Sequence, residues 1–281
     1  MSSQGIRLST SKKGDTSHEL VTRLDRLPVD NINNDIARGN VQGARAFSSF
    51  GSTSVQGAGS KRIVSTNATF PDPFISGVQF SFRSTSGNDF DNGSIGIRSI
   101  EIHYLDNELA EQTEIISLTG ASLVNSVATD IRFINDMHVY TFGSGSSPGI
   151  GRGHAQGNIT AEYQGTVYAK IGINQRLQKS SARMVPKGKR LFVADTTVGS
   201  TSGSADARCT FTLVANKYNS KLFDNPFLFM PINAMSTQDN SVLFTLPVPL
   251  EFPEGTVVAF EVSHDKTCLI EAAFHGWIED V

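Results

Sequence analysis

Residues 96–106 read Gly-Ile-Arg-Ser-Ile-Glu-Ile-His-Tyr-Leu-Asp. Within them Ile100, Ile102 and Tyr104 alternate with Glu101 and His103. That period of two belongs to a half-buried strand, with one face apolar and the other polar. Upstream, Val78, Phe80 and Phe82 alternate with Gln79, Ser81 and Arg83. Ile131, Phe133, Val139 and Phe142 lie in a further apolar segment. Downstream, β-like stretches cover residues 166–173 (TVYAKIGI), 190–198 (RLFVADTTV), 207–215 (ARCTFTLVA), 241–246 (SVLFTL), 256–262 (TVVAFEV) and 267–274 (TCLIEAAF). Turn sequences separate most of them, including Ser86-Gly-Asn-Asp, Asp91-Asn-Gly, Thr119-Gly and Pro186-Lys-Gly-Lys. Strands at this spacing, with no helical stretch between them, predict an all-β body of antiparallel sheets packed as a β-sandwich or jelly roll. With 281 residues the body is one large sandwich or two smaller ones. A boundary near residues 175–185 divides it into halves of 61–180 and 181–281.

Two places repeat one device. Val185-Pro-Lys-Gly-Lys and Phe252-Pro-Glu-Gly-Thr each put Pro, one residue and Gly before an alternating strand. Proline fixes φ at the first central turn position and glycine supplies a positive φ after it. The pair predicts two strands that enter one sandwich from the same end.

Residues 1–60 differ from the body. They are polar, and they end in a Gly/Ser-rich stretch at 51–60 that reads as a linker. A helical turn or two is expected at 15–27 (DTSHELVTRLDRL), stopped by Pro28. The remainder lacks a period and cannot build its own core. It predicts an extended N-terminal arm, either disordered or ordered by lying on a partner, with Ile32, Ile36, Val41, Phe47 and Phe50 as the anchors for the second.

Charged residues make up 18% of the chain, below the roughly 25% of an average soluble protein. The net charge is −3 and the pI about 6.1, which does not fit a dedicated nucleic-acid binder. Lys12-Lys13, Lys61-Arg62 and Lys187-Gly-Lys189-Arg190 are each too short to track a phosphate backbone. No apolar run approaches the roughly 18 residues of a membrane helix. The first residues carry no apolar core of a secretory signal, so synthesis in a cytoplasm is expected. Neither nucleic acid nor membrane is an expected partner. Cys209 and Cys268 lie in β-like apolar stretches and read as two buried, reduced thiols, with pairing left open.

Chemical motifs are sparse. Of the six histidines, no two have the i, i+4 spacing of a helical zinc site, and no Cys-x-x-Cys occurs. His103 and His138 read as histidines at the core edge, satisfied by backbone carbonyls. His264-Asp-Lys-Thr-Cys268 reads as a polar turn beside a buried thiol. The Gly-rich stretch 143–157 (GSGSSPGIGRGHAQG) lacks the Lys of a phosphate-binding loop and runs on to a strand, so it predicts an exposed loop with Arg152 and His154 at its tip. Trp277 is the single Trp. Alternation puts His275 and Trp277 on one face of the last strand, opposite Phe274, Gly276 and Ile278. Arg152, His154 and Trp277 are the candidates for contact with a receptor or glycan. No catalytic residue, metal site or cofactor is expected, and the chain does not read as an enzyme.

Several of these motifs carry a resemblance. The run 96–106, followed by Gln112-Thr-Glu, by Leu118-Thr-Gly and by Asn125-Ser-Val-Ala-Thr-Asp-Ile-Arg-Phe-Ile, resembles a family of uncharacterised virion structural proteins of tailed phages. In that family a G-x-R-x-x-x-I-x-Y-L-D strand precedes Q-T-E and an L-x-G strand end. Gly143-Ser-Gly, Gly157-Asn-Ile-Thr, Val185-Pro-x-Gly-Lys, Ala272-Ala-Phe-His-Gly and Ile36-Ala-Arg-Gly-Asn-Val-Gln-Gly fit it too, so the resemblance spans roughly three-quarters of the chain. It implies a structural component of a tailed-bacteriophage virion, without placing it on tail, neck or head. Together with the arm and the all-β body, the leading expectation is a tail-associated protein assembled as a trimer or a hexamer-type ring. Contacts with other virion proteins would run through the arm. A capsid decoration or head-fibre protein, or a receptor- or glycan-binding module of the tail, stays open.

Overall fold

A computed structural model describes residues 32–61, 63–66, 76–145, 148–201, 207–217, 227–236 and 240–281. The helical turn expected at 15–27 lies outside them. Among the described residues one short helix, α1 (Ile32–Ala37), precedes sixteen strands. These are β1 (Ala44–Val55), β2 (Gly59–Lys61), β3 (Ser81–Ser84), β4 (Ile97–Leu105), β5 (Glu111–Ser117), β6 (Val124–Asn125), β7 (Phe133–Phe142) and β8 (Ile159–Tyr163). Then follow β9 (Thr166–Ile171), β10 (Arg183–Met184), β11 (Lys189–Thr201), β12 (Ala207–Lys217), β13 (Phe227–Ser236), β14 (Asn240–Phe252), β15 (Thr256–His264) and β16 (Cys268–Asp280). Every strand pair among them is antiparallel. The protein is all-β, as the alternation predicts. No helix among the described residues is long and apolar enough to cross a membrane.

The strands form two sandwiches. In one, sheet β6-β3-β8-β9 faces sheet β5-β4-β7 across a core that includes Phe80, Phe82, Ile100, Ile102, Met137 and Ile159. In the other, sheet β1-β16-β11-β14 faces β10-β15-β12-β13, with β2 also paired to β15. Phe211, Phe252, Phe260, Phe274 and Ile278 fill that core. The two sandwiches are nested rather than consecutive. The chain lays down β1 and β2, leaves through Val64–Thr66, builds the first sandwich, and returns through Lys179–Ser181. The outgoing and returning segments form a short stem. Thr66 N donates to Lys179 O at 2.9 Å, Ser181 N donates to Val64 O at 2.9 Å, and Ser65 bridges Ser180. Residues of both bodies, among them Leu105, Phe133, Val214 and Val257, share a smaller apolar cluster beside it.

This arrangement corrects the arm boundary at residue 60. Residues 44–55 pair with β16 along their whole length, from Ala44↔Glu279 to Val55↔Cys268. Apart from Val55 at the end, their buried positions are small: Ser49, Gly51, Ser52 and Thr53. The stem explains why. A Cβ on Gly51 would stand 1.8 Å from Val64 O, and Ser49 Oγ donates to Ser180 O at 3.1 Å. Close backbone approach selects small residues, and small polar residues imitate a linker.

The two Pro-x-Gly turns lie side by side. Gly188 and Gly255 both have positive φ, at 67° and 72°. Gly255 N donates to Val185 O at 2.8 Å, and Glu254 Oε2 accepts from Gly188 N at 2.7 Å. They launch β11 and β15 into the two facing sheets from one end.

The thiols meet across the core between those sheets. Cys209 on β12 and Cys268 on β16 are free, buried, and 3.7 Å apart at Sγ. Burial, with Cys209 beside it, pushes the Cys268 thiol up to about 12. At pH 8 its thiolate is therefore scarce. Iodoacetamide labelling of Cys268 in the native protein is expected to run roughly a thousandfold slower than for a free cysteine. Peptide mass spectrometry checks this; rapid native labelling would contradict it.

Candidate functional site: the cleft between the sandwiches

Alternation along β4 turns Ile100, Ile102 and Tyr104 into the core and Glu101 and His103 outward. On the adjacent β7, His138 pairs opposite Glu101 and Asp136 opposite His103. One face of the β5-β4-β7 sheet thus collects two imidazoles and two carboxylates. Part of this face borders β1 and β10 of the other sandwich across a cleft. One lobe, of about 600 Å³, is lined by residues that include Arg45, Phe47, His103, Glu111 and Arg183. A second lobe, of about 470 Å³, includes Ser48, Phe50, Asp136, His138 and Arg176. Ser48, Asn135, Asp136 and Arg183 line both.

His138 sits between carboxylates. Its Nε2 lies 3.1 Å from Glu101 Oε2, and its Nδ1 lies 3.2 Å from Asp136 Oδ2. His103 Nε2 is 3.9 Å from Glu101 Oε1, and the two imidazole rings are 5.3 Å apart. The expectation that backbone carbonyls satisfy these histidines is corrected. Both rings face out of the sheet and are met by carboxylates.

Arg183 closes the floor. Its guanidinium lies over the Phe47 ring at 5.6 Å, donates to Asn135 O, and stands 4.0 Å from Asp136. Burial pulls its pKa below the ordinary value and Asp136 opposes that pull. Arginine stays protonated regardless, so a fixed positive charge sits at the junction. At the mouth, Arg45 of β1 pairs with Glu111 of β5; elsewhere on the surface Lys187 Nζ lies 3.1 Å from Glu108 Oε2. These exposed pairs contribute about 0–1 kcal/mol each.

A Ser–His pair lies on β1 and β16, where Ser48 Oγ is 2.9 Å from His275 Nδ1. Asp195 follows in register on β11. Among the described residues, no ion pair joins Asp195 to His275. A serine nucleophile needs a base oriented by a third group, and that third contact is not made here.

No family model and no curated protein matches the chain. Among solved structures, it aligns with one of infectious bursal disease virus, Gx strain, at 11% identity over 83% of this chain and 72% of that one, with a TM-score of 0.21. It also aligns with the T13 viral particle of the same virus at 11% identity over 85% and 73%, with a TM-score of 0.22. At such TM-scores the likeness carries no argument about fold or role.

The residues singled out in the sequence are scattered. Ile36 is buried beside Trp277 and Ala194, with Val41 packed against them. Phe47 packs on Phe274, with ring centroids 5.7 Å apart. The side chain of Ile32 lies outside the described residues. Ile36, Val41 and Phe47 therefore have partners within their own chain, and their expected role as free anchors is corrected. Phe50 is exposed, with Lys179 Nζ 5.8 Å from its ring centre. Trp277 is 6% exposed and stacks on Phe192 at 5.0 Å with an interplanar angle of 11°. It is no platform for a sugar, because both the stack and Ile36 cover it.

The Gly-rich loop is tied down at its far end. Asp89 accepts hydrogen bonds from Gln156 N and Gly157 N, and a Cβ on Gly157 would meet Ser86 N at 2.4 Å. That glycine permits a close crossing of two backbones. Arg152 is exposed and shares the Phe142 ring with Arg176, whereas His154 is half-buried. Sequence reasoning missed Glu101, Asp136 and Arg183. The polar half of the alternation in residues 97–105 was the available signal for Glu101.

Proposed function

We propose that the chain is a structural component of a tailed-bacteriophage particle, associated with the tail, that assembles with copies of itself and contacts other virion proteins. The motif resemblance of residues 96–134 supports the particle assignment. The observation that carries self-assembly is strand β14. Among the described residues it is a 13-residue strand at the outer edge of its sheet, paired on one side with β11. Val242, Phe244 and Leu246 pack on the core, while Leu243 points outward at 65% exposure. Pro247 and Pro249 remove two donors from its far half, so residues 240–246 are the part open to pairing. Soluble proteins protect long open edges, and an apolar side chain on one marks a contact surface.

Light scattering on the purified full chain is expected to give a discrete oligomer, and Leu243→Lys is expected to shift it to monomer at micromolar concentration. A wild-type monomer at all concentrations would overturn the self-assembly reading. Mass spectrometry of purified particles from an infected host tests the other half. Presence at fixed stoichiometry is expected, and absence would overturn it.

A further inference from the structure

We propose that Glu101, His103 and His138 bind a borderline divalent metal ion of the Zn2+ class on the outer face of the β5-β4-β7 sheet. One carboxylate oxygen and two imidazole nitrogens of these residues lie within 4.8 Å of one another. Zn–N and Zn–O bonds run about 2.0–2.2 Å, so ligand atoms around a tetrahedral ion stand about 3.3 Å apart. His138 Nε2 stands 3.1 Å from Glu101 Oε2 and His103 Nε2 stands 3.9 Å from Glu101 Oε1, so the carboxylate presents one oxygen toward each imidazole at close to that spacing. Binding requires His103, the most exposed of the three, to swing toward the carboxylate oxygen that His138 faces.

The backbone fixes the set. Glu101 and His103 are two residues apart on one face of β4, and His138 is the cross-strand partner of Glu101. All three sit on hydrogen-bonded strands rather than on a loop, which holds the ligand positions. Asp136 supplies the outer support that metal-bound histidines use. Its Oδ2 is 3.2 Å from His138 Nδ1, which keeps a proton on Nδ1 and directs Nε2 to the ion. Asp136 in turn faces Arg183 of the junction at 4.0 Å. The charges also fit: Glu101 and Asp136 bring two negative charges to a dication. Two imidazoles in three ligands favour Zn2+, Ni2+ or Cu2+ over Mg2+ and Ca2+, which take oxygen. Side-chain exposures of 25%, 46% and 34% for Glu101, His103 and His138 leave the ion a path in and coordination positions open to water.

Titration calorimetry with zinc chloride on the full chain is expected to show one saturable site. His103→Ala and His138→Ala should each weaken it at least tenfold, and Asp136→Asn by about 10- to 100-fold, as loss of an outer partner does. His275→Ala should leave it unchanged. A second measurement needs no variant: bound Zn2+ should protect His103 and His138, but not His275, from carbethoxylation by diethyl pyrocarbonate. Absence of saturable binding would overturn the site. So would unchanged affinity in a folded His103→Ala/His138→Ala double variant, or equal labelling of both histidines with and without zinc.

Discussion

Removal of residues 1–55 is expected to leave a chain whose second sandwich does not form, whereas removal of residues 1–31 is expected to leave it folded. The shorter deletion takes away none of the described contacts. The longer one strips β1 from β16 at twelve consecutive positions, from Ala44↔Glu279 to Val55↔Cys268. It also removes Val55 from the core, Phe47 from Phe274 and Ile36 from Trp277. Burying a side chain of this kind is worth about 1.5–3 kcal/mol, so three of them amount to several kcal/mol before any backbone pairing is counted. A domain's whole stability is about 5–15 kcal/mol. The deletion therefore consumes most of the margin. It also bares the edge of a 13-residue strand that carries Phe274 and Trp277, a surface prone to aggregation. Circular dichroism and a thermal melt of the two truncations decide it. A soluble 1–55 deletion melting with the full chain would mean that β1 is dispensable.

That contrast marks where the sequence was legible. Alternation gave the inward and outward faces of β4, and of β16, where Phe274 and Ile278 enter the core and Trp277 lies on the opposite face. Those strands bury large apolar residues against polar neighbours, and the period is the signal. β1 was misread as arm and linker because its buried middle is serine, glycine and threonine, selected by the stem that crosses it. The nesting was invisible for another reason. Periodicity says that a segment is a strand but not which strand it pairs with, and β1 finds its partner at the other end of the chain. The histidine cluster needed the same missing information. His138 faces Glu101 through a register that shifts between Ser99 and Ile100 and again between His103 and Tyr104. Two further strands, β5 and β6, lie between β4 and β7 in sequence. A search for helical i, i+4 spacing passes over such a set.

Asp89→Ala is expected to destabilise the first sandwich by about 4 kcal/mol. The carboxylate is fully buried and serves three segments at once. Its Oδ1 accepts from Ile97 N at 2.8 Å and its Oδ2 from Ser84 Oγ at 2.6 Å and Gly157 N at 2.9 Å, while Gln156 N reaches both oxygens at 3.1 Å. The end of β3, the start of β4 and the end of the Gly-rich loop therefore converge on one side chain. Alanine removes every acceptor and leaves three backbone N–H groups inside without partners, each costing about 1–3 kcal/mol. Asparagine is a milder replacement, since its carbonyl still accepts on one side while its NH2 faces donors on the other. Asp89→Asn should thus fall between wild type and alanine. Urea denaturation should show the midpoint falling in that order with an unchanged slope. Native trypsin cleavage after Arg152 should rise in the same order, because the loop loses its anchor four residues on. Wild-type stability in Asp89→Ala would mean that the loop is held by its glycine-permitted backbone crossing alone, and that the carboxylate merely occupies a site the fold already closes.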